Sequence, residues 1–125
     1  MLRFERSNSI AVIFYEKSKV LVPPLEIPKE YQFSTETSEE TALRLAGQVG
    51  INASVYHGLV VDREVGDAPD YLYLLRPVHN ELDESEFLVP IPKLNTVIDR
   101  YSSLSDLDKS LMKSVVRHFD RRNQA

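Results

Sequence analysis

The feature that most restricts the fold is an apolar run near the start of the chain. Residues 10 to 14 read IAVIF, with an apolar side chain at every position. A strand with one solvent-facing side alternates apolar and polar residues, so this run predicts a strand that is covered on both faces. The run VLV at residues 20 to 22 follows the polar segment EKSK. Together the two runs predict a β-hairpin with a short turn.

Proline and turn residues divide the rest of the chain into further elements. Prolines 23, 24 and 28 exclude a helix from residues 23 to 36, where we place only a short strand at residues 31–33. Further strands are predicted at residues 54–61, 71–78 and 87–89, the last one ended by Pro90. A helix is predicted from residue 105 onward, with Ser105 and Asp108 resembling a capping box.

The strongest helix signal lies in residues 37 to 49. Thr37 and Glu40 have capping-box spacing, in which each side chain accepts a hydrogen bond from a backbone N–H that the first turn leaves free. An apolar stripe follows at Ala42, Leu45 and Val49. Gly50 then supplies the left-handed residue that commonly ends a helix.

Composition narrows the class of protein. A chain of 125 residues fits one domain, residues 1–125. It contains no cysteine, which excludes disulfides and thiolate chemistry and is consistent with the cytoplasm, the location we predict. No stretch has the apolar length of a membrane helix, and the N-terminus lacks a signal-peptide pattern. The net charge of −4 argues against DNA as a partner.

One segment carries a recognisable order of residues. Pro28 is followed eight positions later by Glu36, then by TSEETAL, Arg44 and the closing pair Gly50-Ile51. This order resembles the signature of the Nudix hydrolase family, and the similarity extends over residues 10 to 119. The resemblance implies an α/β fold of the α+β type, with a mixed β-sheet sandwiched between helices.

The glutamates that bind metal in that family have no counterpart in this segment. After Arg44 the chain reads LAGQVGI, one residue shorter than the family pattern. If the gap directly follows Arg44, Gly47 and Gln48 stand at the paired glutamate positions. If it falls later, Leu45 takes the place of the glutamate after the arginine and Gln48 can take only one of the paired positions. Neither alignment restores a carboxylate. Because Mg²⁺ selects charged oxygen ligands, we predict no metal, no catalytic residues and no standard Nudix hydrolase activity.

Three carboxylates near the start of the helix leave an alternative open. Glu36, Glu39 and Glu40 either form a displaced Mg²⁺ site or have local roles. In the local interpretation Glu36 pairs with Arg44, Glu40 caps the helix and Glu39 is solvated. Arg44 itself either contacts a phosphate or holds the preceding loop against the helix.

Other candidate residues are less specific. The aromatic residues either stack on a nucleotide base or pack in the core: Tyr31, Phe33, Tyr71 and Tyr73. Of these we take Tyr31 and Tyr73, with Arg44, as candidate ligand-binding residues. A carboxylate-rich loop suits a solvated turn or a calcium ion but lacks EF-hand spacing: Asp62, Glu64, Asp67 and Asp70, with Arg63. The histidines are scattered and show no catalytic arrangement: His57, His79 and His118.

Three functions are compatible with these observations. The first prediction is a non-catalytic Nudix-like domain that binds a nucleotide or another phosphorylated small molecule. A divergent Nudix-type pyrophosphohydrolase with a displaced Mg²⁺ site is the second. The third is a homodimeric interaction module, since the exposed edges of a small sheet can pair.

Overall fold

The computed structural model describes residues 8–23, 26–61, 68–79, 87–101 and 103–123. The strands are β1 (Ser9–Glu16), β2 (Lys19–Leu21), β3 (Lys29–Tyr31), β4 (Ala53–Val60), β5 (Tyr71–Pro77) and β6 (Leu88–Pro90). The helices are α1 (Ser38–Gln48), α2 (Leu94–Tyr101) and α3 (Asp106–Asn123), with a 3₁₀ turn at Ile91–Lys93. Within these ranges no helix is long and apolar enough to cross a bilayer. The carboxylate-rich loop proposed for calcium lies outside the described residues, except for Asp70.

The strands form one mixed sheet in the order β4-β5-β1-β2-β6. Strand β1 runs parallel to β5 and antiparallel to β2, and its N-terminal half also pairs with β3. Strands β4 and β5 pair antiparallel, as do β2 and β6. The N-terminal apolar run therefore occupies the centre of the sheet.

Both faces of β1 are covered, as predicted. Ile10, Val12 and Phe14 pack against α1. The alternate residues of β1 pack in a second core with α2 and α3: Ala11, Ile13 and Tyr15. Each of these six side chains is at most 8% exposed. The predicted fold class, an α/β fold with a mixed sheet between helices, is confirmed.

The predicted β-hairpin is present, and its turn has an unusual composition. Lys17 and Ser18 connect β1 to β2 with φ values of 49° and 65°. Two consecutive residues with positive φ make a type I′ turn, whose twist matches that of the two strands. Such turns favour asparagine and glycine, which explains why the residue types did not indicate it.

Helix α1 begins and ends as its sequence predicts. The Thr37 hydroxyl accepts from the Glu40 N–H at 3.2 Å, and the Glu40 carboxylate accepts from the Thr37 N–H at 3.0 Å. At the other end Gly50 has φ of +81°, and the Ile51 N–H donates to the Ala46 carbonyl at 2.9 Å. This is a Schellman motif, which satisfies carbonyl groups that the last turn leaves free.

Two short strands differ from their predicted positions. The strand predicted at residues 31–33 lies at Lys29–Tyr31, because its backbone pairs with β1 from Ser9 to Ala11. Strand β6 includes Pro90, which was predicted to follow the strand. A proline is tolerated there because β6 is at the edge of the sheet, where its missing N–H breaks few hydrogen bonds.

The C-terminal region contains one helix that was not predicted. Leu94, Val97 and Ile98 have the spacing of an apolar helix face, and they place α2 against the sheet. The predicted capping box of α3 is only half correct. The Ser105 hydroxyl accepts from the Asp108 N–H at 3.2 Å, but the Asp108 carboxylate turns instead to Ile27 and Lys29.

Candidate functional site

Arg44 lies on α1 and faces the loop that precedes the helix. Its guanidinium donates to the Glu36 carboxylate at 2.8 Å and to the Tyr31 carbonyl at 3.1 Å. It also lies over the Phe33 ring, 3.9 Å from the ring centroid. These contacts show that Arg44 holds the preceding loop against the helix through its ion pair with Glu36.

Glu36 accepts hydrogen bonds from several donors. Besides Arg44, the Phe33 N–H donates to its carboxylate at 3.0 Å and the Thr41 hydroxyl at 2.7 Å. The hydrogen bond from Arg44, followed by the one from Phe33, lowers the pKa of the Glu36 carboxyl from 4.5 to about 2. In turn the Glu36 carboxylate raises the pKa of Arg44.

The carboxylates proposed for a displaced magnesium site have the local roles described above. Glu36 pairs with Arg44, Glu40 caps α1, and Glu39 is exposed. In the described part of the chain no three His, Asp or Glu side chains are grouped so that they could hold a metal ion. Gly47 and Gln48, which stand at the paired glutamate positions in one of the two alignments with the Nudix signature, offer no charged oxygen. The described residues therefore do not fit the magnesium ion that the resemblance implies, and no step of a reaction is assigned to it.

The structure separates the other two candidate ligand-binding residues. Tyr31 lies beside Arg44 and is 54% exposed. Tyr73 lies on β5 beneath α1 and is 8% exposed, and its hydroxyl is 2.6 Å from the Ser38 hydroxyl. Its ring covers Gly58 so closely that a Cβ there would be 2.9 Å from a ring carbon. Tyr73 is thus a packing residue, whereas Tyr31 and Arg44 share one surface.

Two of the three histidines come together. The rings of His57 on β4 and His118 on α3 are stacked with centroids 4.4 Å apart. His79 follows β5 and is exposed. No spacing in the sequence could indicate this pair, because β4 and α3 meet only through the arrangement of the sheet.

A cavity of about 410 Å³, here called the α1 cavity, opens at the C-terminal end of α1. Its walls come from β1, β2, the proline-containing segment after β2, and the residues that end α1: Val12, Ile13, Phe14, Leu21, Pro23, Glu26, Pro28, Val49 and Ile51. Gln48 immediately precedes Val49, so the last turn of α1, where the resemblance to the Nudix signature would place glutamates, borders this cavity. No sequence pattern predicts these walls, because they combine residues 12–28 with the end of α1, which lies more than twenty residues further along the chain.

The electrostatic character of the α1 cavity follows from its lining. Glu26 is the one charged side chain among the described lining residues, and it is exposed. The C-terminal end of α1 adds partial negative charge from the helix dipole, and its last turn contains no basic residue. The cavity is therefore suited to an apolar group and provides no cation for a phosphate.

In comparisons with models of protein families and with curated proteins, no match to this chain was found.

Proposed function

We propose that this protein is a non-catalytic binding module of Nudix-like architecture and that the α1 cavity receives the apolar part of its ligand. One observation carries the proposal. An apolar cavity of about 410 Å³ borders the turn of α1 in which Gly47 and Gln48 replace glutamates of the family that the chain resembles. A pocket of this size is typical of small-molecule sites. A ligand bound there would meet no group able to activate water through a metal ion.

The chemistry of the walls narrows the class of ligand. An aromatic ring or a short hydrocarbon chain would bury its surface against Val12, Phe14 and Ile51, which favours binding by about 25 cal/mol for each Å² removed from water. The nucleotide or phosphorylated metabolite predicted from sequence fits only with its phosphates outside the cavity. Arg44 does not line the cavity and is paired with Glu36.

A neutral fluorescent probe tests the cavity directly. N-phenyl-1-naphthylamine has no charge and fluoresces strongly in apolar surroundings. We expect it to bind and to shift the amide NMR signals of Val12, Leu21 and Ile51. Val49→Trp should fill the cavity and remove most of the fluorescence gain, because Val49 lines the cavity yet is 48% exposed and tolerates a larger side chain.

The matched control is Leu43→Trp. Leu43 lies on the same helix, is 39% exposed and does not line the cavity, so this variant should bind the probe like the wild type. Equal binding by both tryptophan variants would contradict the placement of the site. Release of phosphate from a nucleoside diphosphate derivative with Mg²⁺ or Mn²⁺ would overturn the non-catalytic assignment. It would favour the displaced metal site, which Glu36→Gln, Glu39→Gln and Glu40→Gln would then locate.

A further inference from the structure

A second cavity of about 410 Å³ lies on the opposite face of the sheet, between the β1–β2 hairpin, the start of α2 and the C-terminal half of α3. We call it the α3 cavity. Its lining residues are Tyr15, Ser18, Ile91, Pro92, Asn95, Val116, Phe119 and Asp120. It shares no lining residue with the α1 cavity, and the sheet separates the two.

The apolar part of the α3 cavity is held firmly in place. The Tyr15 ring stacks on Tyr56 with centroids 4.7 Å apart and on Phe119 at 5.2 Å. Tyr15 and Val116 are 8% and 7% exposed, so their positions are fixed by the core. Ile91 and Pro92 complete a wall against which a compact hydrocarbon group can pack. A preformed wall reduces the ordering cost of binding.

The polar part of the same cavity is rich in hydrogen-bond acceptors and carries negative charge. Asp120, Asn95 and Ser18 line it, and their side chains contain a carboxylate, an amide and a hydroxyl group. Asp120 is the one charged side chain among the described lining residues, and no lysine, arginine or histidine is among them. Among the side chains of α3 that the structure describes, Lys113 pairs with Asp99 and Arg117 donates to Ser114.

We propose that the α3 cavity binds a small primary ammonium ligand with a compact apolar group. An ammonium has three N–H donors and no acceptor, which matches a lining with three acceptors and a single negative charge. The apolar group packs against Ile91, Val116 and Phe119. The described lining residues offer a carboxylate or phosphate in the same place no positive charge, only the negative charge of Asp120.

NMR titration with three probes of the same shape and different charge tests the proposal. Phenethylamine is cationic at neutral pH, phenethyl alcohol is neutral and phenylacetate is anionic. We expect phenethylamine to shift the amide signals of Ser18, Asn95 and Phe119. The alcohol should bind about ten- to a hundredfold more weakly, as expected for the loss of a hydrogen bond to a charged group, and phenylacetate should not bind. Equal affinity for amine and alcohol, or shifts that map elsewhere, would overturn the proposal.

Two substitutions separate charge recognition from general effects. Asp120→Asn should weaken phenethylamine binding by about tenfold or more and leave binding of the alcohol unchanged. Asp106→Asn is the matched control, because Asp106 lies on the same helix, is exposed and does not line the cavity. An Asp120→Asn variant that binds the amine like the wild type would refute the role of the carboxylate. Val49→Trp, which fills the α1 cavity, should not affect this titration, so the two sites are tested independently.

Discussion

Glu36 remains ionised far below the pH at which an exposed glutamate takes up a proton, because the Arg44 guanidinium and the Phe33 backbone N–H both donate to it. The ion pair connects the loop before α1 with the middle of that helix. Arg44 also contacts the Tyr31 carbonyl, so a single side chain fixes the end of β3 relative to α1. Removing the charge of Glu36 or of Arg44 would therefore break the ion pair and also free the loop from the helix.

This pair predicts how stability depends on pH. The pKa of Glu36 is lowered from 4.5 to about 2 in the folded protein. A lowered pKa means that the unfolded chain binds the proton more readily, so the pair stabilises the fold fully above pH 4.5. That contribution is lost progressively as the pH falls from about 4.5 towards about 2. Urea unfolding measured across this range should show a decline in the free energy of unfolding.

Glu36→Gln isolates the contribution. The variant should be less stable than the wild type at neutral pH, and the gap between the two should narrow at low pH. Glu39→Gln is the control, because Glu39 is exposed on the same helix and outside the ion pair, and its pH profile should follow that of the wild type. A constant gap between Glu36→Gln and the wild type would show that the carboxylate does not titrate as described.

At the scale of elements, two glycines at the end of α1 have opposite requirements. Gly47 lies inside the last turn, and a Cβ there would meet no atom within 4 Å. Gly47→Ala should therefore raise the free energy of unfolding by about 1 kcal/mol, the difference in helix propensity. Gly50 has φ of +81°, so Gly50→Ala should lower it by about 1 kcal/mol. Thermal unfolding of Gly47→Ala and Gly50→Ala measures both changes in stability. A loss of stability in Gly47→Ala would contradict the prediction.

Elements with local signals could be predicted from the sequence, and the others could not. The caps of α1 depend on residues at the ends of that one helix. The burial of β1 on both faces could be predicted because every residue of its run IAVIF is apolar. Strand β3 is set instead by pairing with β1, which no local pattern contains. Leu94, Val97 and Ile98 have the spacing of an apolar helix face, but α2 is short and follows two prolines, so this pattern did not predict a helix. Both cavities combine distant segments, so no single stretch of sequence indicates them.

At the scale of the whole molecule, Asp108 connects α3 to the N-terminal half of the chain through an ion pair and a hydrogen bond. Its carboxylate accepts from the Lys29 ammonium at 2.5 Å and from the Ile27 N–H at 2.9 Å, and its side chain is 2% exposed. Asp108→Ala should lower the free energy of unfolding by about 3 kcal/mol, because the buried Ile27 N–H loses its acceptor and the Lys29 ammonium loses its charged partner and keeps only the Ile27 carbonyl. Asp106→Ala, on the exposed side of the same helix, should cost less than about 1 kcal/mol. If urea unfolding showed the same loss of stability for Asp108→Ala and Asp106→Ala, the contacts of Asp108 with Ile27 and Lys29 would contribute little.

The ends of the sheet bear on the homodimer that the sequence left open as an alternative. Strand β4 has a register shift between Val55 and His57, and β6 is three residues long and includes Pro90. Both features oppose the addition of another strand. We therefore expect that any association of two chains uses a surface other than these edges. Light scattering over a wide range of concentrations measures whether association occurs.

The place of β1 in the sheet also has a consequence for how the chain acquires its structure. Its hairpin partner follows at once, but its parallel neighbour starts only at Tyr71. During synthesis, the hydrophobic strand β1 cannot pair with β5 until the residues between them have been made. Pairings between segments so distant in sequence also form slowly. Until β5 is available, the segment IAVIF exposes hydrophobic side chains. Segments of this kind bind chaperones and can start aggregation.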